Sequence, residues 1–447
     1  MPLFPSRRTR ACASVIRVTR GAATSLSLAG VLSFAPASAR LLRAQSLASP
    51  VSSHADSFRC LDTAARAVPA RLDDKHGIYV EQETIVAQRD GRVLVAGNPV
   101  FVWRDRGDGF DLLARDSLFG MVIDTSAFVR AIPSPLPGHV LDGMRAAALP
   151  NGRWLVSFFE VIPMPPEQAP IAKALWVGET DGITWRDLHL LPLVADSMDI
   201  RFLSPLAWKN GRARLAVPFV RDHHRLIALY SLDSSRWTTS VHDVGLLAYV
   251  AVALSETRDV MAVVKAAADT VVDVNSLFLY SKNPTDSVWS GGIRVLHAGV
   301  DPVRDPIFAA DARLLAWRRL RVRERSKEAW FTAVDDEGGP IASPVRIAVG
   351  AEELRASEQG GAVLWAIYDR VWPNPTLQLL EQHGNDEPAR ITRVTSYKGL
   401  LAVTIARNRA ILVSARAAET NRDPAVISMI ETHTWRCLSQ KGPHAMQ

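Results

Sequence analysis

The chain has 447 residues, of which 22% are charged and 48% are aliphatic or aromatic. That balance excludes an intrinsically disordered chain, and the length exceeds one ordinary core unless the chain is a repeat or barrel array. The net charge of +6 lies almost wholly in residues 1–39, which carry five Arg and no acid. The remaining 47 basic and 46 acidic residues give no indication of nucleic-acid binding, and we expect none.

Residues 1–39 have the three parts of a secretory signal peptide. Arginines between Arg7 and Arg20 precede a modest apolar stretch, which ends in Ala37-Ser38-Ala39. A membrane anchor is the alternative, but the stretch is short and rich in Ser, Thr and Gly. We therefore expect cleavage and export to the periplasm or out of the cell, with no membrane span in the mature chain.

Residues 76–438 carry a repeat. After a polar segment at 40–75, which we expect to be poorly ordered, a tight turn followed by a short apolar strand recurs about every fifty residues; the turns lie at Asp90, Asn151, Asn210, Thr257, Asp311, Gln359 and Asn408. Four strands per repeat of this length predict an all-β fold, a β-propeller of four-stranded antiparallel blades, over residues 76–438. We expect seven blades, with six as the alternative, and a tail at 439–447.

The repeats can be divided into strands A to D. In the first repeat these are Ile78–Gln88, Arg92–Gly97, Pro99–Arg104 and Phe110–Arg115, followed by a linker at Asp116–Asp142. The later blades are predicted at Gly143–Leu190, Arg201–Asp243, Gly245–His297, Arg304–Val349, Glu352–Val394 and Lys398–Cys437.

Connection lengths indicate which face of the propeller binds ligands. Since consecutive strands run antiparallel, the B–C and D–A connections share one face, and the A–B and C–D turns share the other. The long connections fall on the first face: 116–142, 161–171, 266–273, 319–328, 368–375 and 416–423. Binding residues concentrate on long loops carried by a rigid scaffold, so this face is the predicted binding face.

Two cysteines remain after the predicted leader. Cys60 and Cys437 lie near the two ends of the mature chain, in the similar contexts FRCL and WRCL. In an oxidising compartment a disulfide between them would join the ends of the ring, and the chain-entropy model gives it about 4–5 kcal/mol of stability. Two free buried thiols are the alternative.

Several hairpins combine an Asp-containing turn with an aromatic residue. The segment Gly178–Trp185 reads GETDGITW, and looser versions are WRDRGDGF, YSLDSSRW and YSKNPTDSVW. Over most of the repeat array these resemble degenerate Asp-boxes (S-x-D-x-G-x-T-W) of the sialidase propellers. Gly178–Trp185 is one residue off the pattern, and the others keep only the turn and the aromatic residue. In either interpretation the Asp caps the turn and the Trp packs between blades.

The sialidase resemblance implies a set of site residues. It implies a Tyr nucleophile with a Glu partner and an acid Asp, for which the matching positions are Tyr397, Glu160 and Asp199. It also implies an arginine cluster for a substrate carboxylate; the arginines near the starts of A strands are Arg145, Arg201, Arg304 and Arg355. An Arg at a strand start is otherwise a solvated rim residue.

The sequence favours a non-catalytic binding protein. We expect a monomeric exported propeller that binds a glycan, peptide or protein on the face with the long loops, where Trp372 is a candidate for stacking on a sugar ring. A sialidase-like glycoside hydrolase is the alternative. No CxxC pair, HExxH helix, GxSxG turn or phosphate-cradling glycine loop occurs, so we expect no metal and no cofactor.

Overall fold

The structure is a computed structural model, and its described residues form one all-β unit. All regular elements among them are strands. The described residues are 59–69, 76–79, 85–88, 90–102, 110–112, 118–124, 129–162, 171–195, 198, 203–222, 224–245, 247–265, 275–299, 301–309, 311–359, 362–369, 376–383, 388–395, 402–406, 409–417 and 426–438.

Six antiparallel sheets of four strands form propeller blades, each named here after its inner strand. The β3 blade contains β3 (Ile85–Ala87), β4 (Val93–Ala96), β7 (Leu118–Ile123) and β8 (Val129–Pro133). The β9 blade contains β9 (Leu141–Ala148), β10 (Trp154–Ile162), β11 (Ile171–Thr180) and β12 (Trp185–Leu191). The β13 blade contains β13 (Ala207–Lys209), β14 (Arg212–Arg221), β15 (His224–Asp233) and β16 (Arg236–Asp243).

The other three blades follow in chain order. The β17 blade contains β17 (Leu247–Leu254), β18 (Asp259–Lys265), β19 (Asn275–Lys282) and β20 (Ile293–Gly299). The β21 blade contains β21 (Val303–Ala309), β22 (Leu314–Arg321), β23 (Ser326–Ala333) and β24 (Val345–Val349). The β25 blade contains β25 (Glu353–Gln359), β26 (Ala362–Asp369), β27 (Thr376–His383) and β28 (Ala389–Thr395).

A seventh sheet, which we call the seam sheet, combines strands from both ends of the described chain. Its carboxyl-terminal strands are β29 (Ala402–Ala406), β30 (Arg409–Ala417) and β31 (Val426–Leu438). Its amino-terminal strands are β1 (Arg59–Pro69), β2 (His76–Tyr79), β5 (Asn98–Val102) and β6 (Phe110–Leu112). Both β1 and β2 pair with β31. Strand β1 belongs to the segment 40–75, so part of that segment forms a regular strand.

The number of four-stranded blades is six, which was the alternative, and not the seven predicted. The reason lies in the last repeat, where the amino-terminal strands extend the sheet to seven strands. The inner strand of the seam sheet, β29, contacts both β25 and β3, so this sheet lies between the last and the first four-stranded blades.

The strand assignment of the first repeat was also wrong in part. The segments predicted as its third and fourth strands supply β5 and β6, which belong to the seam sheet instead: β5 pairs with β2, and β6 pairs with β5. Two strands from the predicted linker replace them: β7 pairs with β4, and β8 pairs with β7. Burial accounts for the exchange, because Phe119, Met121 and Ile123 of β7 are almost completely enclosed.

The core lies between neighbouring blades. Second strands contain runs of fully buried apolar residues, such as Leu314–Trp317 of β22, because neighbouring blades cover them on both sides. Fourth strands face solvent and alternate between exposed and half-buried residues, as β16 does. The connections of these strands define two surfaces: the turn face, with the A–B and C–D turns, and the loop face, with the B–C and D–A connections.

The hairpin Gly178–Trp185 lies on the turn face and ties two blades together. The Asp181 carboxylate accepts hydrogen bonds from the Ile183 and Thr184 backbone amides, both at 2.8 Å. The Trp185 indole donates to the carbonyl of Pro133 in the β3 blade (2.8 Å) and lies edge-on to Phe119 at 4.9 Å. These contacts are structural, and the turn of the hairpin itself lies on the face opposite the long loops.

Candidate functional site

Charged side chains are grouped on the loop face at the start of the β21 blade. Strand β21 pairs with β22 so that Arg304 lies directly opposite Arg318. Two like charges at opposed positions repel each other. The sequence resolves the repulsion with an irregularity between Arg304 and Ile307, where Asp305 adopts a φ of 45°.

Asp305 neutralises one of the two arginines. The Arg318 guanidinium donates its Nε to Asp305 Oδ2 at 2.8 Å, and its Nη2 contacts the same oxygen. Arg304 is exposed, and among the described residues it has neither a hydrogen-bond acceptor nor an ion-pair partner. The local sequence therefore leaves one guanidinium facing solvent beside an ion pair.

Tyr249 reaches this cluster from the neighbouring blade. It lies on β17, which contacts β21, and its side chain is half-buried. Burial raises the pKa of the Tyr249 hydroxyl above its ordinary value of 10.0, and the adjacent Arg304 cation only partly offsets that rise. The phenol is therefore neutral at physiological pH and can donate a hydrogen bond. We call Tyr249, Arg304, Asp305 and Arg318 the rim cluster.

A second set of ion pairs fixes the loop beside the rim cluster. Asp301 accepts from Arg319 Nη2 at 2.8 Å and from the backbone amide of Val322 at 3.1 Å. The Arg319 guanidinium also lies over the Trp330 ring, 6.0 Å from its centroid. The B–C connection of this blade is thus held by its own charges, which supports the neighbouring strand ends.

Glu160 forms a separate cluster on the β9 blade. Its carboxylate is buried and contacts Lys173 Nζ and His139 Nδ1, the latter at 2.9 Å. Burial alone would raise the pKa of Glu160, but the hydrogen bonds from Lys173 and His139 outweigh it and lower the pKa below 4.5. A carboxylate held in this way is ionised at neutral pH.

The other predicted site residues are placed differently. Arg145 is 2% exposed, and its Nη1 donates to the Met144 carbonyl at 2.7 Å, so it offers almost no surface to a ligand. Arg355 is half-buried on β25 and donates in the same way to Leu354. The remaining predicted residues lie outside the described residues: Asp199, Arg201, Trp372 and Tyr397.

Three members of the rim cluster were not predicted from the sequence: Tyr249, Asp305 and Arg318. Tyr249 stands in an apolar strand, LAYVAVAL, whose pattern indicates only core. Arg318 stands in a run of alternating arginines and aliphatic residues, which indicates an exposed strand end. The sequence signal for the cluster was Arg304, at the start of an inner strand. The starts of adjacent inner strands lie close together, which brings Tyr249 of β17 near Arg304 of β21.

Metal-binding side chains and membrane-spanning helices can be assessed for the part of the chain that the structure describes. Within that part, no three His, Cys, Asp or Glu side chains converge as a metal site would require. None of its residues forms a helix with the length and apolarity of a membrane span.

No protein-family model matches the chain, and no curated protein matches it. Solved structures similar to it include the polysaccharide lyase Uly1, at 9% identity over 84% of this chain and 100% of the other, with a TM-score of 0.49. They also include the β-propeller domain of the trilobed protease from Pyrococcus furiosus, at 9% identity over 81% and 100%, with a TM-score of 0.42. An α-L-arabinofuranosidase from Fusarium graminearum matches at 8% identity over 65% and 91%, with a TM-score of 0.38.

Proposed function

We propose that this chain is an exported, monomeric propeller that binds an acidic glycan at the rim cluster of its loop face and does not transform it. The observation that carries the proposal is the exposed Arg304 guanidinium, whose cross-strand neighbour Arg318 is already neutralised by Asp305. A cation left without a partner beside a matched pair attracts an anionic group.

The geometry favours a carboxylate carried on a sugar ring. A guanidinium presents a planar fork of N–H donors that fits a carboxylate with two parallel hydrogen bonds. Tyr249 adds a neutral hydroxyl donor and an aromatic ring beside Arg304. A uronic acid or a sialic acid offers a carboxylate next to ring hydroxyls, which matches one cation beside one polar aromatic group.

The protonation states support binding without catalysis. A general acid or base works best with a pKa near the ambient pH. The Tyr249 pKa is raised above 10.0 and the Glu160 pKa is lowered below 4.5, so neither is poised for proton transfer at neutral pH. Both groups instead suit fixed roles, Tyr249 as a donor and Glu160 as an ion-pair partner.

A sialidase-like glycoside hydrolase is the second candidate function. It would use Tyr397 with Glu160 as the nucleophile pair and Asp199 as the acid. Arg304 would grip the carboxylate in either function, so binding alone does not separate them. A fluorogenic sialoside does: turnover by the wild type that Tyr397→Phe abolishes would establish the hydrolase, whereas no turnover by the wild type is expected here.

The binding proposal is tested by calorimetric titration. We expect the wild type to bind a uronic-acid trisaccharide, and Arg304→Ala to bind it at least about ten-fold more weakly, since one charge-assisted contact contributes at least about 1.4 kcal/mol. Arg313→Ala is the matched control: it removes the same charge from an arginine on the turn face of the same blade, whose side chain is 68% exposed.

The ligand panel separates the chemistry of the partner. A neutral trisaccharide of the same linkage should bind much more weakly than the uronate, and an acidic peptide tests whether charge alone suffices. Equal affinity for the acidic and neutral sugars, or an unchanged affinity of Arg304→Ala, would refute the proposed site. Sequencing of the exported protein tests the leader, and we expect the mature chain to begin at Arg40.

A further inference from the structure

We infer that Cys60 and Cys437 form a disulfide that clasps the seam sheet, independently of any ligand. Strand β1 pairs antiparallel with β31, and in that register Cys60 lies directly opposite Cys437. The two residues are close to opposite ends of the chain, so the fold alone brings them together.

The register is the one that a cross-strand disulfide requires. Opposed residues of an antiparallel pair lie on the same face of the sheet. Their Cα atoms are about 4.5 or 5.5 Å apart, depending on the pair type, and both values fall within the range of about 4.4–6.8 Å found for disulfides. A shift by a single residue would place the two cysteines on opposite faces.

The position of the cysteine pair indicates that the bond would hold the amino-terminal strand β1 on β31. Among the described strands of the seam sheet, β31 is the only carboxyl-terminal strand that pairs with amino-terminal strands, namely β1 and β2. The cysteine pair is next to the last pair of the β1–β31 ladder, Arg59 opposite Leu438. Ends of ladders open first, so a covalent link here would keep β1 on β31.

The bond forms by thiol–disulfide exchange. The oxidised dithiol of an oxidoreductase in the export compartment accepts two electrons and two protons from the Cys60 and Cys437 thiols, and it leaves as the reduced dithiol. The product is one sulfur–sulfur bond within the chain. Because both cysteines must be in place, the bond forms only after the last repeat has been translocated and folded.

Peptide mapping tests the bond directly. Protein secreted by an oxidising host is alkylated without reduction and digested with trypsin, which releases CLDTAAR (residues 60–66) and CLSQK (residues 437–441). We expect one linked species whose mass is two hydrogens below the sum of the two peptides. Recovery of both peptides as alkylated monomers would overturn the inference.

Unfolding tests whether the bond acts as a clasp. Reduction should lower the melting temperature of the wild type by about 5 °C, as expected for a long loop in a chain of this size. The Cys60→Ser/Cys437→Ser variant should melt at the reduced value and not respond to reductant. Cys12→Ser, which lies in the predicted leader, should behave as the wild type. A reductant-insensitive wild type would contradict the role, even if the bond forms.

Discussion

The turn face and the loop face contain the same types of charged residue, but those of the turn face pair between blades and Arg304 of the loop face faces solvent. On the turn face, Arg214 and Asp259 are both fully buried between the β13 and β17 blades, with Arg214 Nη2 2.7 Å from Asp259 Oδ2. Arg212 donates to the other oxygen of Asp259 at 2.9 Å. On the loop face, Arg304 is exposed and has no such partner among the described residues.

The difference shows which charges hold blades and which are available to a ligand. A buried charge must be paired, since desolvation without compensation is costly. An exposed guanidinium costs little to leave free, and it can then bind an incoming anion. The short turns bring arginines and carboxylates of adjacent blades together, as in the contacts of Arg212 and Arg214 with Asp259.

The largest effect should come from breaking the turn-face network. Asp259→Asn removes the only carboxylate that contacts both Arg212 and Arg214 among the described residues. We expect the free energy of unfolding in denaturant to fall by about 3–5 kcal/mol, because the buried Arg214 loses its one buried carboxylate among the described residues and keeps only the partly exposed Asp233. Asp336→Asn is the control, since that carboxylate is 77% exposed and 3.7 Å from Arg313. A loss below about 1 kcal/mol would show that the network is not structural.

The next prediction concerns steric contact between blades on the turn face. Gly182 has a φ of +89°, and a Cβ there would lie 2.4 Å from Val122 Cγ2 of the β3 blade. Gly211 has a similar φ of +76°, but nothing lies within 4 Å of its position. We expect Gly211→Ala to cost about 1 kcal/mol through backbone strain alone, and Gly182→Ala about 2–4 kcal/mol because overpacking is added.

Thermal or denaturant unfolding of the two glycine variants separates the two causes. Equal losses would mean that the hairpin does not press on the neighbouring blade. A larger loss for Gly182→Ala, relieved by Val122→Ala in the double variant, would confirm the contact.

Much of the fold was predictable, because the turns and apolar runs that define the strands are local to each repeat. The turns are local: Asn210 and Gly211 both adopt a positive φ, as a two-residue hairpin turn requires. The partner of a strand is not local. Pro99–Arg104 has the composition of a strand, and its residues 99–102 belong to β5, but whether that strand pairs with β4 or β2 depends on the whole ring.

The candidate site was predictable only in part, for a similar reason. The strand-start position of Arg304 indicated the rim. Its free guanidinium, however, depends on the irregularity that turns Asp305 toward Arg318, and such an irregularity has no clear sequence signal. Tyr249 belongs to the site only because its blade lies beside the β21 blade.

On the loop face, Tyr249→Phe tests the contact of the tyrosine hydroxyl with the ligand, because it removes the hydroxyl and keeps the ring. We expect the affinity for the uronic-acid trisaccharide to fall about three- to ten-fold, as for one lost hydrogen bond. Because the Tyr249 pKa is raised above 10.0, the affinity of the wild type should not change between pH 7 and 9 through this group.

The control for that variant is Tyr280→Phe, on the third strand of the same blade, whose ring lies 5.4 Å from Lys265 Nζ. It removes the same atom and should leave the affinity unchanged. If both variants bind as the wild type does, the Tyr249 hydroxyl is not a ligand contact, and the site reduces to Arg304.

The smallest effect should come from Glu160, a charge on the loop face that is paired. Its folded pKa is lowered, so its carboxylate stabilises the fold above the ordinary value of 4.5, and that contribution is lost as the pH falls through the folded pKa. We expect Glu160→Gln to lose about 1 kcal/mol at pH 7, because Lys173 and His139 are both largely solvated. The difference from the wild type should shrink below about pH 4.5, while Glu324→Gln, which is 57% exposed, should show no difference at either pH. A loss near 4 kcal/mol would place Glu160 with the buried network of the turn face and remove the distinction between the two faces.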